Sequence, residues 1–211
     1  MEGLFLDGVR IALGGRLLVS LTRHVPPGAV LTVMGPSGAG KSSLLAYLGG
    51  FLDPAFTACG RALVDGVEIT ALPAEERHVG ILFQDPLLFP HMSVAGNLMF
   101  ALPESVKARA ERRRRAEAAL CGVGMAGLGG RDPATLSGGQ KARVALARVL
   151  VSEPRMLLLD EPFSKLDTQL RQQMRQLVFS KARESGLPVL LVTHDMADAR
   201  AAGGEIVKIG A

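Results

Sequence analysis

Eight residues, Gly35-Pro36-Ser37-Gly38-Ala39-Gly40-Lys41-Ser42, fit the pattern G-x-x-x-x-G-K-S without a mismatch. Glycines let a backbone curl until several N–H groups point inward at phosphate oxygens. A helix starting behind such a loop adds the positive end of its dipole. Lys41 is the residue type to neutralise charge on β- and γ-phosphates. The Ser42 hydroxyl can ligate Mg²⁺, and Ser43 continues the loop into the helix. The plain alternative is a glycine turn with an incidental lysine. The apolar run Val30-Leu31-Thr32-Val33-Met34 just before the loop argues against it, because strand, glycine loop and helix then follow in the required order. By itself this motif specifies nucleotide binding and nothing about the task.

Two further groups carry chemistry. Asp160 and Glu161 end the apolar run Met156-Leu157-Leu158-Leu159. Neighbours on a strand point to opposite sides, so two adjacent carboxylates need not share a role. Asp160 suits Mg²⁺, through water, and Glu161 suits the general base for an attacking water. Acids capping a strand before Pro162 are the bland reading, and the upstream loop disfavours it. Leu136-Ser137-Gly138-Gly139-Gln140 reads as a second anion-binding helix start: a serine cap, two glycines exposing N–H groups, then a helix. An ordinary capped helix would explain Ser-Gly-Gly alone. The full string is far more specific, lying about 95 residues after Lys41 and about 20 before Asp160.

The elements that must position these groups are legible in outline. Leu4–Ile11 and Leu17–Val25 read as strands around Gly14-Gly15, and Ser42–Gly49 as a helix. Residues 60–69 read as a strand pair turning at Asp65-Gly66. Val79–Phe83 reads as a buried strand ending at Gln84. Residues 86–135 are helical, rich in Ala and Arg, and form an inserted lobe. Ser137 caps a helix running to about Val151. Leu170–Glu184 is helical, Val189–Val192 is a strand ending at Thr193-His194, and Glu205–Ile209 is a last strand. Four apolar strands thus end on Gly35, Gln84, Asp160-Glu161 and His194. Continuous apolar runs belong to a parallel sheet covered on both faces, and ligands bind at the carboxyl ends of its strands.

Bulk properties narrow the class. A chain of 211 residues suits one domain, or a core with a small inserted lobe. Aromatics make up 4%, with no Trp and one Tyr, which counts against nucleic-acid binding by base stacking. The net charge of +4 draws on Arg112-Arg113-Arg114-Arg115. That run reads as a solvated helix face rather than a contact for lipid or nucleic acid. Cys59 and Cys121 lack ligand spacing and read as free thiols in a reducing compartment. No signal peptide and no bilayer-length apolar run is evident, which makes a cytosolic chain the expectation.

In order and content these motifs resemble the ATP-binding subunits of ABC transporters. The residues that carry the resemblance are Gly35–Ser42, Gln84, Leu136–Gln140, Met156–Glu161, Ser164-Lys165-Leu166-Asp167 and His194, and it covers essentially the whole chain. It implies an α/β fold: a P-loop NTPase core with a mostly parallel sheet covered by helices, an N-terminal antiparallel β subdomain and an inserted helical lobe. Residues 1–85 and 137–211 would form the core and 86–136 the helical subdomain. It implies ATP and Mg²⁺ as ligands. Gln84 would sense the metal and the attacking water where the lobe joins, and His194 would contact the γ-phosphate. Ser137, Gly139 and Gln140 would serve the nucleotide held by a second copy in a head-to-tail dimer, with Asp167 at that interface.

Residues 84–94 are similar to those of importer ATPases for thiamine, polyamines, iron(III) and sulfate. Leu87, Leu88 and Phe89 would be the dock for a membrane permease subunit, unless they are core of the helical lobe. The implied function is an ATP-hydrolysing subunit that powers a solute importer, peripheral on the cytoplasmic face of the membrane, with a solute-binding protein as further partner. An ATPase that transmits force to a membrane complex without moving solute is the alternative. DNA-repair and ribosomal relatives are disfavoured, since no long coiled-coil insertion or second such domain is present. A simple P-loop kinase would not need Leu136–Gln140.

Two departures stand out. Many members of the family carry an aromatic near the first strand that stacks on adenine, and Ile11-Ala12-Leu13 has none. The base is therefore expected to pack on aliphatic side chains, at a loss of about 0.5–1.5 kcal/mol. The chain also ends soon after the last strand, so no regulatory C-terminal domain is expected.

Overall fold

The computed structural model describes residues 2–210. It forms two compact units. The first comprises the chain up to Ile81, Arg155–Glu161, and Phe179 onward. The second comprises Leu82–Pro154 and Pro162–Val178.

In the first unit, β1 (Leu4–Leu13) and β2 (Arg16–Val25) form a hairpin closed by Gly14-Gly15. Both glycines have positive φ, which matches the twist of flanking strands in a tight hairpin. β3 (Val30–Met34) leads into the glycine loop, and α1 (Lys41–Gly49) follows. β4 (Phe56–Val64) and β5 (Val67–Glu68) complete an antiparallel sheet of order β2-β1-β4-β5. Here the local strand pair expected over 60–69 needs correction. β4 begins four residues earlier and its long partner is β1, from Leu4 opposite Val64 to Leu13 opposite Phe56. β5 contributes only two paired positions.

The second sheet contains β6 (Val79–Leu82), β7 (Met156–Asp160), β8 (Val189–Val192) and β9 (Glu205–Lys208), in the order β6-β7-β8-β3-β9. β3 pairs in parallel with both β8 and β9, and β7 with β8. Every residue of β3 and β8 is buried, as expected for strands covered on both faces. Alternate residues Leu4, Leu6, Val9 and Ile11 of β1 meet Leu44, Leu45 and Leu48 of α1 and Leu158, Leu190 and Val192 of the parallel sheet in one core. The resulting architecture is the P-loop fold with an antiparallel sheet added.

The second unit holds α2 (Val94–Ala101), α3 (Arg109–Gly122) and α4 (Gly138–Val151). α5 (Thr168–Glu184) starts in the second unit and ends in the first, and the short α6 (Met196–Ala202) belongs to the first. α6 was not apparent from the sequence. The arginine run is more than a solvated face. Arg112 donates to the carbonyls of Met99, Leu102, Pro103 and Val106, closing the end of α2 and the turn after it. Arg114 and Arg115 both bond Glu111, and their hydrogen bonds hold its carboxyl at about 2.

One buried charge fixes the far end of α1. Arg77 is 8% exposed, and its guanidinium donates to the carbonyls of Tyr47 at 2.7 Å, Leu48 at 3.0 Å and Leu72 at 2.9 Å. Burial lowers its pKa from the ordinary arginine value. A cation there satisfies carbonyls that a helix end leaves unpaired and complements the negative pole. Arg77→Ala should lower the unfolding free energy by about 2–3 kcal/mol, because several buried carbonyls lose their donor together. The urea midpoint reads this directly, and an unmoved midpoint would remove Arg77 from the role.

Candidate functional site

The loop between β3 and α1 turns through Gly38 (φ 79°) and Gly40 (φ 92°), where a side chain would be strained. A Cβ at Gly40 would also lie 2.9 Å from Cβ of Leu18 and 3.0 Å from Cγ2 of Val19. Strand β2 is therefore packed directly on the loop. No side chain caps α1, so the first N–H groups of that helix present themselves to an anion. Lys41 is buried, and its Nζ donates to the carbonyls of Gly35 at 2.8 Å and Pro36 at 2.9 Å. Its ammonium thus lies across the start of the loop.

Beside this loop is a cleft of about 380 Å³. Its polar end is lined by Ser37, Gly38, Lys41, Ser42, Ser43 and Glu161, and its apolar end by Leu13, Leu18 and Phe56. The size falls within the usual range for small-molecule sites. Asp160 closes β7. Burial, then the charge of Glu161, raises its pKa, while Lys41 pulls in the opposite direction. Glu161 leaves the strand in the left-handed region (φ 46°), and its N–H donates to the Val192 carbonyl at 2.9 Å. Its Oε1 lies 3.1 Å from Nδ1 of His194. His194 itself is exposed and lines a second hollow with Gly35 and Pro36. Thr193 Oγ1 donates to Asp198 Oδ2 and accepts from the Asp195 N–H, both at 3.0 Å, which orders the chain on either side of His194.

The first unit thus brings together Gly35–Ser43, Asp160, Glu161 and His194. Gln84, Ser137, Gly139 and Gln140 belong to the second unit. Gln84 is exposed just after β6 and lines a hollow of about 170 Å³ with Gly138, Lys141 and Lys165. Ser137 caps α4 through a reciprocal pair of bonds. Its Oγ accepts from the Gln140 N–H at 3.3 Å, and Gln140 Oε1 accepts from the Ser137 N–H at 3.0 Å. Gly139 is glycine for packing as well: a Cβ there would run into the Leu170 side chain. Asp167 Oδ1 accepts from the Leu170 N–H at 3.0 Å at the start of α5.

Sequence reasoning missed Phe56. Its place in the cleft depends on the long-range pairing of β4 with β1, and the local hairpin reading hid that pairing. The turn signal Asp53-Pro54 just before it was the available clue. Among the described residues no helix is long and apolar enough to cross a membrane.

With this geometry in hand, similarity to known proteins is informative. The ABC transporter family model matches residues 18–164. The ABC transporter ATP-binding protein YnjD of Escherichia coli K12 is 49% identical over 183 residues, covering 87% of this chain and 84% of that protein. The Fe(3+) ions import ATP-binding protein FbpC of Agrobacterium fabrum is 46% identical over 202 residues, covering 95% of this chain. The chain spans 56% of that relative's length. Among solved structures, the dimeric ABC transporter cassette MJ0796 superposes with a TM-score of 0.79 at 29% identity, covering 98% of this chain and 94% of that one. CbiO1 of Clostridium perfringens, part of the transporter complex cbiONQ, gives 0.85 at 29% identity, covering 99% and 84%. The match extends over most of the chain and includes the glycine loop, the Ser137 helix start and the Asp160-Glu161 pair, so this chain belongs to the ABC transporter family as an ATP-hydrolysing, ATP-binding cassette.

Proposed function

We propose that the chain is the ATPase subunit of a membrane importer, working as a pair in which each copy completes the other's site. One observation carries this reading. The chain holds two anion-binding helix starts, one sharing a cleft with Glu161 and the other, at Ser137, belonging to a separate unit. The dimeric form of the similar cassette MJ0796 supports pairing. Each copy binds ATP through Gly35–Ser43, with Lys41 on the β- and γ-phosphates and Glu161 as the base for the attacking water. His194 contacts the γ-phosphate and Gln84 orients the water. Ser137, Gly139 and Gln140 close on the nucleotide of the other copy. In this reading residues 1–85 and 137–211 form the catalytic core and 86–136 the helical subdomain, a functional division that differs from the two compact units in counting Ser137 and α4 with the core. Binding drives closure because the closed pair makes contacts with ATP that the open one lacks.

The donor set fits Mg²⁺. Asp160, a half-buried carboxylate that feels the Lys41 ammonium and whose charged form is disfavoured by burial, and the Ser42 hydroxyl of the cleft are oxygen donors of the kind this ion takes. Mg²⁺ commonly takes one or two protein oxygens and completes its shell with phosphates and water. Bound there, the ion would neutralise charge developing on the transferred phosphoryl group.

Import is supported by the similarity to proteins named for Fe(3+) import, which makes iron(III) the first solute to test. The partners are permease subunits and a solute-binding protein, with the chain held through the permease at the cytoplasmic face of the membrane. An exposed apolar pair in the second unit supports a permease dock. Leu87 is 57% and Phe100 63% exposed, and Phe100 meets the Phe89 ring edge-on at 5.1 Å.

Three outcomes test the reading. Glu161→Gln should bind ATP as tightly as the parent, hydrolyse it about 10²–10⁴-fold more slowly, and run as a dimer on size exclusion only with ATP. Full turnover by that variant would refute the general-base role. Asp160→Asn should weaken Mg²⁺-dependent nucleotide binding yet raise the melting temperature of the ligand-free chain at pH 7. The raised pKa means that the folded state disfavours the carboxylate. The penalty is present at neutral pH and disappears as the pH falls below 3.8, the ordinary aspartate value, where the group is protonated in both states. The stabilisation by Asn should vanish over the same range. Finally, Leu87→Glu with Phe100→Glu should leave ATP binding intact and abolish co-purification with permease subunits. Recovery of cell-wall or division proteins with the parent chain, and of no permease, would favour force transmission over import.

A further inference from the structure

The cleft beside the phosphate loop has two chemically different ends, and a triphosphate needs only one of them. The other is apolar and assembled from three strands: Leu13 of β1, Leu18 of β2 and Phe56 of β4. Leu13 is 43% exposed and directly opposes Phe56 across the β1–β4 ladder. Directly opposed residues project from the same face of a sheet. Leu18 abuts Gly40, so the apolar wall begins where the phosphate loop ends. Among the described residues, Phe56 is the only aromatic lining this cleft.

Its position is well determined. The Phe56 N–H donates to the Asp53 carbonyl at 3.0 Å, and the Ala55 N–H donates to Asp53 Oδ1 at 2.8 Å, with Pro54 between them. Pro at the second position of such a turn and Asp at the first are the residue types that pre-set it. Farther along β4, the Tyr47 hydroxyl donates to the Gly60 carbonyl at 2.8 Å and ties the strand to α1, the helix that begins at the phosphate loop. The ring is half-buried, packed on the core on one side and open to the cleft.

We propose that the ring of Phe56 is the stacking platform for the purine base of the bound nucleotide, with Leu13 and Leu18 completing the wall. The aromatic contact that β1 lacks is supplied from β4, across the sheet. This rests on the reading of the cleft as an ATP site and deepens it. Every base has a π-face, so stacking contributes affinity without discriminating between adenine and guanine.

The test compares MgATP with magnesium tripolyphosphate, which has the phosphates and no base, by calorimetry on the full chain. Phe56→Ala should weaken ATP binding about ten-fold and leave tripolyphosphate binding unchanged, while Phe56→Tyr should retain parental affinity for both. The chain has no Trp, so Phe56→Trp introduces a single indole. Its fluorescence should respond to ATP and not to tripolyphosphate. Parental ATP affinity in the alanine variant, equal loss of both ligands, or an indole that responds alike to both would each overturn the platform. Failure of the parent chain to bind ATP at all would instead overturn the nucleotide reading.

Discussion

The structure is organised around a helix that begins without a cap. α1 starts at Gly40 with no side chain on its leading N–H groups, and unpaired backbone donors are unfavourable wherever water is excluded. A protein tolerates such a start when an anion completes it. The surroundings hold α1 in register. Its apolar face is buried through Leu44, Leu45 and Leu48, β2 presses on Gly40, and Arg77 grips the carbonyls at the other end. The helix is thus finished at its negative pole by the protein and left for ligand at its positive pole. Fixed amides need no reorganisation when phosphate arrives, which is the property electrostatic catalysis requires.

The carboxylates show the same trade between stability and function. Asp160 is held where burial and a neighbouring charge disfavour its ionised form, and Glu161 occupies a left-handed conformation that non-glycine residues seldom adopt. Strain of this kind persists where neighbours over-determine it. Here the Glu161 N–H is bonded to β8, and its carboxylate meets His194, whose own segment is ordered by Thr193 and Asp198. The conformation also redirects the chain immediately after β7, so the two acids leave the strand differently. That separation would let adjacent carboxylates do different work.

Much of this was legible in the sequence because the chemistry is local. A glycine loop, an apolar strand ending in acids and a serine helix start are each written within about eight consecutive residues, and the parallel strands announce themselves by unbroken apolar runs. What was illegible depends on pairing over distance. Phe56 joins the cleft only because β4 lies along β1, in a register that shifts once, between Asp7 and Arg10 opposite Gly60, and is held by a two-sheet core. Arg112 looked like one of four equivalent charges, and its four carbonyl partners come from the last turn of α2 and the segment after it, which no periodicity reveals. The ambiguity of short apolar segments had the same origin: Leu87 is exposed while Leu88 and Phe89 beside it are half-buried, and Arg148, far along the chain, holds this segment. Its guanidinium bonds the Leu87 carbonyl at 2.8 Å and lies over the Phe89 ring.

The two anion-binding helix starts differ in one respect that bears on how a pair of such chains would work. α1 is uncapped, whereas α4 is closed by its own Ser137 and Gln140. A chain alone therefore has an unfinished site at Lys41 and a finished helix at Ser137. Nucleotide should enter at α1 first, where no side-chain cap occupies the helix start. The Ser137 hydroxyl can donate to a phosphate oxygen on another copy while its Oγ still accepts from the Gln140 N–H, so engagement of α4 would leave the cap in place. A bond donated to an ionised phosphate oxygen is stronger than one between neutral groups. The capping box thus holds Ser137 in place in a chain alone, and association of two copies would then depend on the nucleotide already held at α1.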